Sequence, residues 1–295
     1  MRFGAVFPTN EIGDDPVAIR DWAQAAEALG YSHIATYDHV LGAVHEGREP
    51  KLWGPYSEEH PFHEPFVLFG FLAATTRDIV LETSIVILPQ RQAALVAKQA
   101  AEVDILSGGR LRLGVGSGWN PVEYEALGVD WATRGRRFDE QVHLMRALWE
   151  NDVVDFDGEF HRVDRAGIAP RPNRRIPLWF GGGTLPAMRR AARLGDGFVF
   201  GGATRRLADQ IADLDRALSN EGRDPGAFDK EVTLPYGLGP DRWEDVISKV
   251  AAAGCGHVTV NAMSSTAEWA GYPAVELATP AAHIGALETF IGAVT

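Results

Sequence analysis

The chain has 295 residues, 40 acidic against 28 basic side chains, and a formal charge of −12. At 45% hydrophobic and 23% charged residues, it has the composition of a soluble globular protein with a large core. The acidic balance argues against a nucleic-acid or anionic-membrane surface, and the single cysteine, Cys255, excludes an internal disulfide and a Cys-rich zinc or iron–sulfur centre.

Short apolar, β-branched runs alternate along the chain with stretches that carry apolar residues at helical spacing. Arg2–Phe7 reads as a first strand rather than a signal peptide, and Asp15–Leu29 as a helix stopped by Gly30. His33–Tyr37 is a second strand. Residues 38–64 are rich in Gly, Pro, His and aromatics without a period, so they read as a long loop of the kind that is usually functional. A helix over Phe66–Thr76, a third strand over Ile79–Leu88 and a helix over Ala93–Leu106 follow. Arg110–Val115 is the fourth strand and Arg134–Glu150 a long amphipathic helix. Residues 152–176 are irregular, with a hairpin expected around Asp157-Gly158. Strand five is Pro177–Phe180 with helix Leu185–Leu194, and strand six is Gly197–Phe200 with helix Arg205–Glu221. Strand seven is Val232–Leu238 with helix Trp243–Ala253, and strand eight is His257–Val260 with helix Ala281–Val294.

Eight β/α units without a linker or composition shift predict one domain over 1–295, an α/β (β/α)₈ TIM barrel with long strand-end loops, rather than a doubly wound sheet. The strands are nearly continuously apolar, as parallel strands covered on both faces should be. No run of about 18 apolar residues is present to span a bilayer. A cytoplasmic enzyme acting on a small molecule, with no nucleic-acid or membrane partner, is the expectation.

A barrel places its active site at the C-terminal ends of its strands. Those positions hold Thr9-Asn10, Asp38-His39, Thr83-Ser84-Ile85, Gly116-Ser117-Gly118-Trp119, Gly181-Gly182-Gly183-Thr184, Gly201-Gly202 and Asn261. Amidohydrolase chemistry lacks its His-x-His pair after strand one, and a Schiff-base aldolase lacks a strand-end lysine. The dinucleotide fingerprint fails because its third glycine is Trp119. Gly181–Thr184, running into a helix with Pro186 in its first turn, is either a phosphate cradle or simply a permissive turn. His39 is either a satisfied structural residue or a proton carrier that the adjacent Asp38 orients. His60-Pro61-Phe62-His63-Glu64 has no further ligands at metal spacing and reads as a loop, so no metal is expected.

The stretch Gly30-Tyr31-Ser32-His33-Ile34-Ala35-Thr36-Tyr37-Asp38-His39 resembles the second-strand signature of the bacterial luciferase-like flavin and deazaflavin family. The block from Leu88-Pro89 through Ala97-Lys98-Gln99-Ala100, Asp104 and Leu106-Ser107-Gly108-Gly109-Arg110 to Gly116-Ser117-Gly118-Trp119 resembles it further. Glu123, Leu127-Gly128, Arg134-Gly135-Arg136-Arg137, Gly181-Gly182 and Gly195-Asp196-Gly197 extend the likeness over nearly the whole chain.

That resemblance implies a flavin-type ring at the barrel mouth. It would be backed by a cis peptide at Ser84-Ile85 and flanked by Gly116 and Ser117, with its phosphate on Gly181, Gly182, Gly183 and Thr184. Asp38 and His39 would face the reactive edge. The chain most resembles the subgroup using the deazaflavin coenzyme F-420, with FMN as the alternative coenzyme, and the family's barrels commonly form homodimers. Where the glucose-6-phosphate dehydrogenases of this group carry a glutamate, this chain has Trp119, which argues against sugar-phosphate oxidation. Trp53, Phe62 and Trp119 then suggest an apolar substrate wall.

Three functions fit: an F-420-dependent oxidoreductase, an FMN-dependent monooxygenase using 38–64 as a water-excluding lid, and a non-catalytic flavin-binding barrel. Arg165, Arg171, Arg174 and Arg175 precede the glycine-rich turn in sequence and would suit the polyglutamate tail of F-420.

Overall fold

Helix starts follow a repeated local rule: a polar cap residue followed at once by proline. Asp15, Glu64, Asn120 and Thr279 each accept a hydrogen bond from a first-turn amide, and Pro16, Pro65, Pro121 and Pro280 occupy positions that need no N–H. These caps fix where each crossover turns back along the barrel. The computed structural model describes residues 1–202 and 206–295.

The elements in chain order are β1 (Arg2–Val6), α1 (Pro16–Ala28), β2 (His33–Thr36), α2 (Pro65–Thr75), β3 (Val80–Thr83), β4 (Val86–Ile87), α3 (Ala93–Leu106) and β5 (Leu111–Gly116). Then come α4 (Pro121–Ala126), α5 (Arg134–Glu150), the hairpin β6 (Val154–Asp157) and β7 (Arg162–Ala166), and β8 (Leu178–Gly181) with α6 (Leu185–Leu194). The last are β9 (Gly197–Phe200), α7 (Leu207–Asn220), β10 (Asp229–Pro235), α8 (Pro240–Ala252), β11 (His257–Asn261), α9 (Ser264–Trp269) and α10 (Pro280–Val294). The parallel strands pair in the order β3-β2-β1-β11-β10-β9-β8-β5, and β3 pairs with β5 to close the ring. The expected (β/α)₈ barrel is the observed architecture. The expected turn at Gly201-Gly202-Ala203-Thr204 and the expected helix start at Arg205 fall in part on 203–205, outside the described residues.

Four elements differ from expectation. The third strand is interrupted at Ser84-Ile85, where the peptide bond is cis. Five residues of this strand, Glu82 to Val86, span four on β5, Arg112 to Val115, so the chain bulges there. Two short helices, α4 and α9, stand in what read as loop. Strand seven begins at Asp229 rather than Val232, because Asp229-Lys230-Glu231 reads as a polar loop and yet pairs with β9 and β11.

Glu231 explains that slip. Barrel interiors are ordinarily filled by branched apolar side chains, and this one carries charge across its lower half. Arg112 on β5 donates to Glu82 on β3 at 2.6 Å, lies 3.5 Å from Glu231 on β10 and sits 4.2 Å over the Trp179 ring. His33 on β2 lies 3.1 Å from Glu231. Contacts between strands that are not neighbours place these groups inside the ring. Glycines make the room: a Cβ on Gly4 would come within 2.1 Å of His33, and one on Gly197 within 2.4 Å of Trp179.

Candidate active site

At the opposite, C-terminal end of the barrel, His39 follows β2 and is 8% exposed. Its Nδ1 lies 2.8 Å from an oxygen of Glu123, a side chain with no solvent exposure in the first turn of α4. The other Glu123 oxygen accepts from the backbone N–H of Val40 at 2.6 Å and of Leu41 at 3.2 Å. Three aromatic rings surround the imidazole edge-on: Phe62 at 5.0 Å, Tyr56 at 5.3 Å and Trp119 at 5.4 Å between centroids. Burial pushes the Tyr56 phenol well above its ordinary value, with Tyr37 nearby adding to the effect. Nε2 of His39 has no hydrogen-bond partner among the described residues. It is the one ring nitrogen left for other work.

Asp38 does not orient His39. Its carboxylate is buried and accepts from the Ile87 N–H at 2.9 Å and from Arg91 at 2.6 and 3.1 Å. Arg91 also donates to Glu64 at 2.8 Å. One guanidinium therefore holds both ends of the long loop 38–64, with Asp38 at its start and Glu64 at its end. Neither Arg91 nor Glu123 stood out in the sequence. Glu123 lay in what read as loop, and the usable signal was its place in the block resembling the luciferase-like family.

The loop closes on Trp119. A Cβ on Gly54 would meet that indole at 2.3 Å, and His45 lies 6.2 Å from it between centroids. Trp53, expected in the substrate wall with Phe62 and Trp119, is instead 71% exposed and meets Trp269 of α9 at 5.6 Å. The structure brings Phe62 and Trp119 to His39 and leaves Trp53 outside.

Ile85 lies against two glycines at the mouth. A Cβ on Gly116 would meet its side chain at 2.5 Å and one on Gly181 at 2.8 Å, so glycine at both positions is what lets Ile85 lie there as a shelf. Ser84 donates its N–H to Thr36, and the Ser117 carbonyl accepts from the Tyr124 hydroxyl. Beyond the shelf Gly182, Gly183 and Thr184 are exposed at the start of α6. Thr184 makes no side-chain capping bond, and Gly182 has a φ of +140°. Open first-turn amides on a ten-residue helix, approached over glycine, fit a phosphate group.

The four arginines expected near this cradle lie elsewhere. Arg165, Arg171, Arg174 and Arg175 precede β8, whereas the cradle follows it, so they belong to the other end of the barrel. They are also paired, with Asp164, Asp152, Asp104 and Asp196 respectively.

His33, Glu231 and His257 bring metal-ligand atoms within 4.8 Å of one another. The donor inventory argues against ligation by His33. The Thr259 hydroxyl donates to Glu231 and the Ser32 hydroxyl to the Phe3 carbonyl. Each hydroxyl oxygen therefore accepts from the His33 ring, at 2.7 and 2.8 Å, and both ring nitrogens act as donors. Burial and the neighbouring Glu231 push Glu82 up, while His33 and Arg112 outweigh burial and hold Glu231 down. The cluster is an ion network.

The fold and this mouth define a barrel enzyme whose candidate site combines a buried histidine with a glycine-backed shelf and an exposed helix N-terminus. The chain belongs to the family described as luciferase-like monooxygenase, whose profile matches residues 1–278. An uncharacterised protein of Mycobacterium tuberculosis is 33% identical over 249 residues, covering 74% of this chain and 86% of that one. An F-420-dependent glucose-6-phosphate dehydrogenase of Nakamurella multipartita is 30% identical over 203 residues (68% of this chain, 56% of that one). An FMNH₂-dependent dimethylsulfone monooxygenase of Pseudomonas fluorescens is 31% identical over 200 residues (66% and 51%).

Among solved structures, a monooxygenase from Streptomyces bottropensis superposes with a TM-score of 0.78 over 99% of this chain and 98% of its own, at 19% identity. An F-420-dependent secondary alcohol dehydrogenase superposes at 0.71 over 88% and 92%, also at 19% identity. Those two likenesses speak to the fold. The family consists of oxidoreductases and monooxygenases, and a flavin or deazaflavin coenzyme is the supported cofactor class. No helix among the described residues is long and apolar enough to cross a membrane.

Proposed function

We propose that the protein is an F-420-dependent oxidoreductase acting on a small, apolar organic substrate, with His39 as its proton-handling group. The observation that carries this reading is the His39 pocket, in which one imidazole nitrogen is anchored by Glu123 and the other has no described partner, inside a wall of Tyr56, Phe62 and Trp119. When bound, the deazaflavin supplies a two-electron hydride acceptor or donor. His39 takes up or releases the accompanying proton at Nε2, the aromatic wall keeps water from it, and the first-turn amides of α6 hold the phosphate. Gly116 and Gly181 give Ile85 the room to lie at the mouth, where it would back a planar ring.

The second reading is an FMN-dependent monooxygenase. The opposite-end position of Arg165, Arg171, Arg174 and Arg175 favours it, since FMN needs a phosphate site and no cationic track for a tail. Titrating the protein with each coenzyme, followed by fluorescence, separates the two. F-420 binding with hydride exchange to small ketones or alcohols is the expected result, and tight FMN binding with no F-420 binding overturns it. A homodimer is part of this reading. Helix α2 has no charged side chain, yet Val67 is 72% and Phe71 38% exposed on it. Light scattering at micromolar concentration gives the mass.

A further inference from the structure

We infer that Glu123 is the positioning residue of the site: it dictates which nitrogen of His39 carries the proton, and it ties that choice to the first residues of the loop 38–64. The inference rests on the reading that His39 handles the proton and adds the group that prepares it.

Backbone N–H groups can only donate, so Glu123 Oε1, facing Val40 and Leu41, acts as acceptor to both. Gln90 Nε2 stands 3.5 Å from the same oxygen as a third donor. A carboxylate has acceptor oxygens only. Its second oxygen therefore requires a proton on His39 Nδ1, 2.8 Å away. Neutral His39 must then be the Nδ1–H tautomer, with the Nε2 lone pair directed away from Glu123. Asp38 cannot take over, because Arg91 and the Ile87 amide already occupy its carboxylate.

The same donors make Glu123→Gln informative. The Val40 and Leu41 amides require the oxygen of the new side chain on their side, which turns its NH₂ toward His39. Nδ1 must then accept, and the neutral ring moves its proton to Nε2. A nitrogen that could receive a proton from substrate becomes one that cannot. In this the variant differs from a loss of packing, because the side chain keeps its size and its place.

The test is ¹⁵N NMR of the histidine-labelled full chain without coenzyme, with His39→Gln used to assign the His39 ring signals. Wild type is expected to show Nδ1 protonated and Nε2 bare in the neutral form, and Glu123→Gln the reverse. An Nε2–H tautomer in wild type overturns the inference with no variant needed, as does an unchanged tautomer in a folded Glu123→Gln. With coenzyme and substrate, the tautomer change is expected to lower kcat by about 10²-fold or more while KM moves within about twofold. If the tautomer inverts but no deazaflavin binds, the functional reading fails and the positioning role of Glu123 stands.

Discussion

The base and the mouth of this barrel each bury a histidine against glutamate, and β2 delivers both. His33 opens the strand and His39 lies just past its end, yet their surroundings differ in one respect. His33 donates from both nitrogens, to Ser32 and Thr259, and faces Glu231 and Glu82 with Arg112 beside them. His39 is engaged at Nδ1 alone. Burial is similar, so burial does not separate a structural histidine from a working one. The count of nitrogens already committed does, together with where the remaining one points. At the base, His33 and Arg112 are matched to Glu82 and Glu231, and neither His33 nitrogen is left over. The mouth has a carboxylate that spends its capacity on one ring nitrogen and the loop backbone.

The largest effect should come from removing the working member of the pair. His39→Ala is expected to lower turnover by about 10²–10⁴-fold, the usual range for a lost acid–base group, with the melting temperature little changed. Steady-state kinetics beside thermal unfolding of the same preparation checks it. Full turnover in His39→Ala would erase the contrast between the two histidines.

Breaking the base should do the reverse. Arg112→Met leaves Glu82 and Glu231 buried without their guanidinium, and removing one partner of a buried ion pair costs about 3–5 kcal/mol. Denaturant unfolding should register that loss, while kcat per folded molecule stays near wild type, because the described contacts of Arg112 all lie within the base cluster. A tenfold fall in kcat with unchanged stability would mean that the base takes part in the chemistry.

A third change probes the mouth alone. Gly183 is exposed at the cradle, and a new Cβ there meets only Gln210 Nε2, at 3.3 Å, the end of a flexible side chain. Gly183→Asp should therefore fold, and its carboxylate should weaken coenzyme binding by about tenfold or more through repulsion of the phosphate. Unaltered affinity would move the phosphate away from α6.

Much of this contrast was readable from the chain, and the parts that were not share a cause. Alternating apolar runs and helical periods are local signals, so the eight units and the helices at Ala93–Leu106, Arg134–Glu150 and Leu185–Leu194 appear where the spacing puts them. Partnerships are not local. Asp38 looked like the natural orienter of His39 because the two are adjacent, but neighbouring side chains on extended backbone point to opposite sides. Glu123, 84 residues away, arrives through the turn after β5. The arginines before β8 looked close to the cradle because only five residues separate Arg175 from Gly181. Those residues form a strand, which carries the chain along the barrel wall at about 3.3 Å per residue. The start of β10 was missed because charge inside a barrel has no local signature: Lys230 and Glu231 are buried, and their compensation comes from Asp215, Arg112 and His33.

The smallest expected effect concerns two further buried histidines, His257 beside the base cluster and His283 apart from it. His257 and His283 are buried, and burial lowers both below the ordinary imidazole range, with nearby Asp229 and Glu11 opposing the shift. A base whose folded value is depressed binds fewer protons folded than unfolded. Stability is then complete above the ordinary value near 6.5 and declines as pH falls below it, by at most about 1.4 kcal/mol per pH unit for each group. His283 is the cleaner probe, since its Nε2 has no hydrogen-bond partner and lies 3.5 Å from Glu11, away from the Arg112 network. His283→Leu should therefore flatten the fall in unfolding free energy between about pH 6.5 and 5 without touching the mouth chemistry. If the slope persists unchanged in His283→Leu, the acid sensitivity belongs to His257 and the base. The division drawn between a sealed base and a working mouth would then have to include proton uptake at the base.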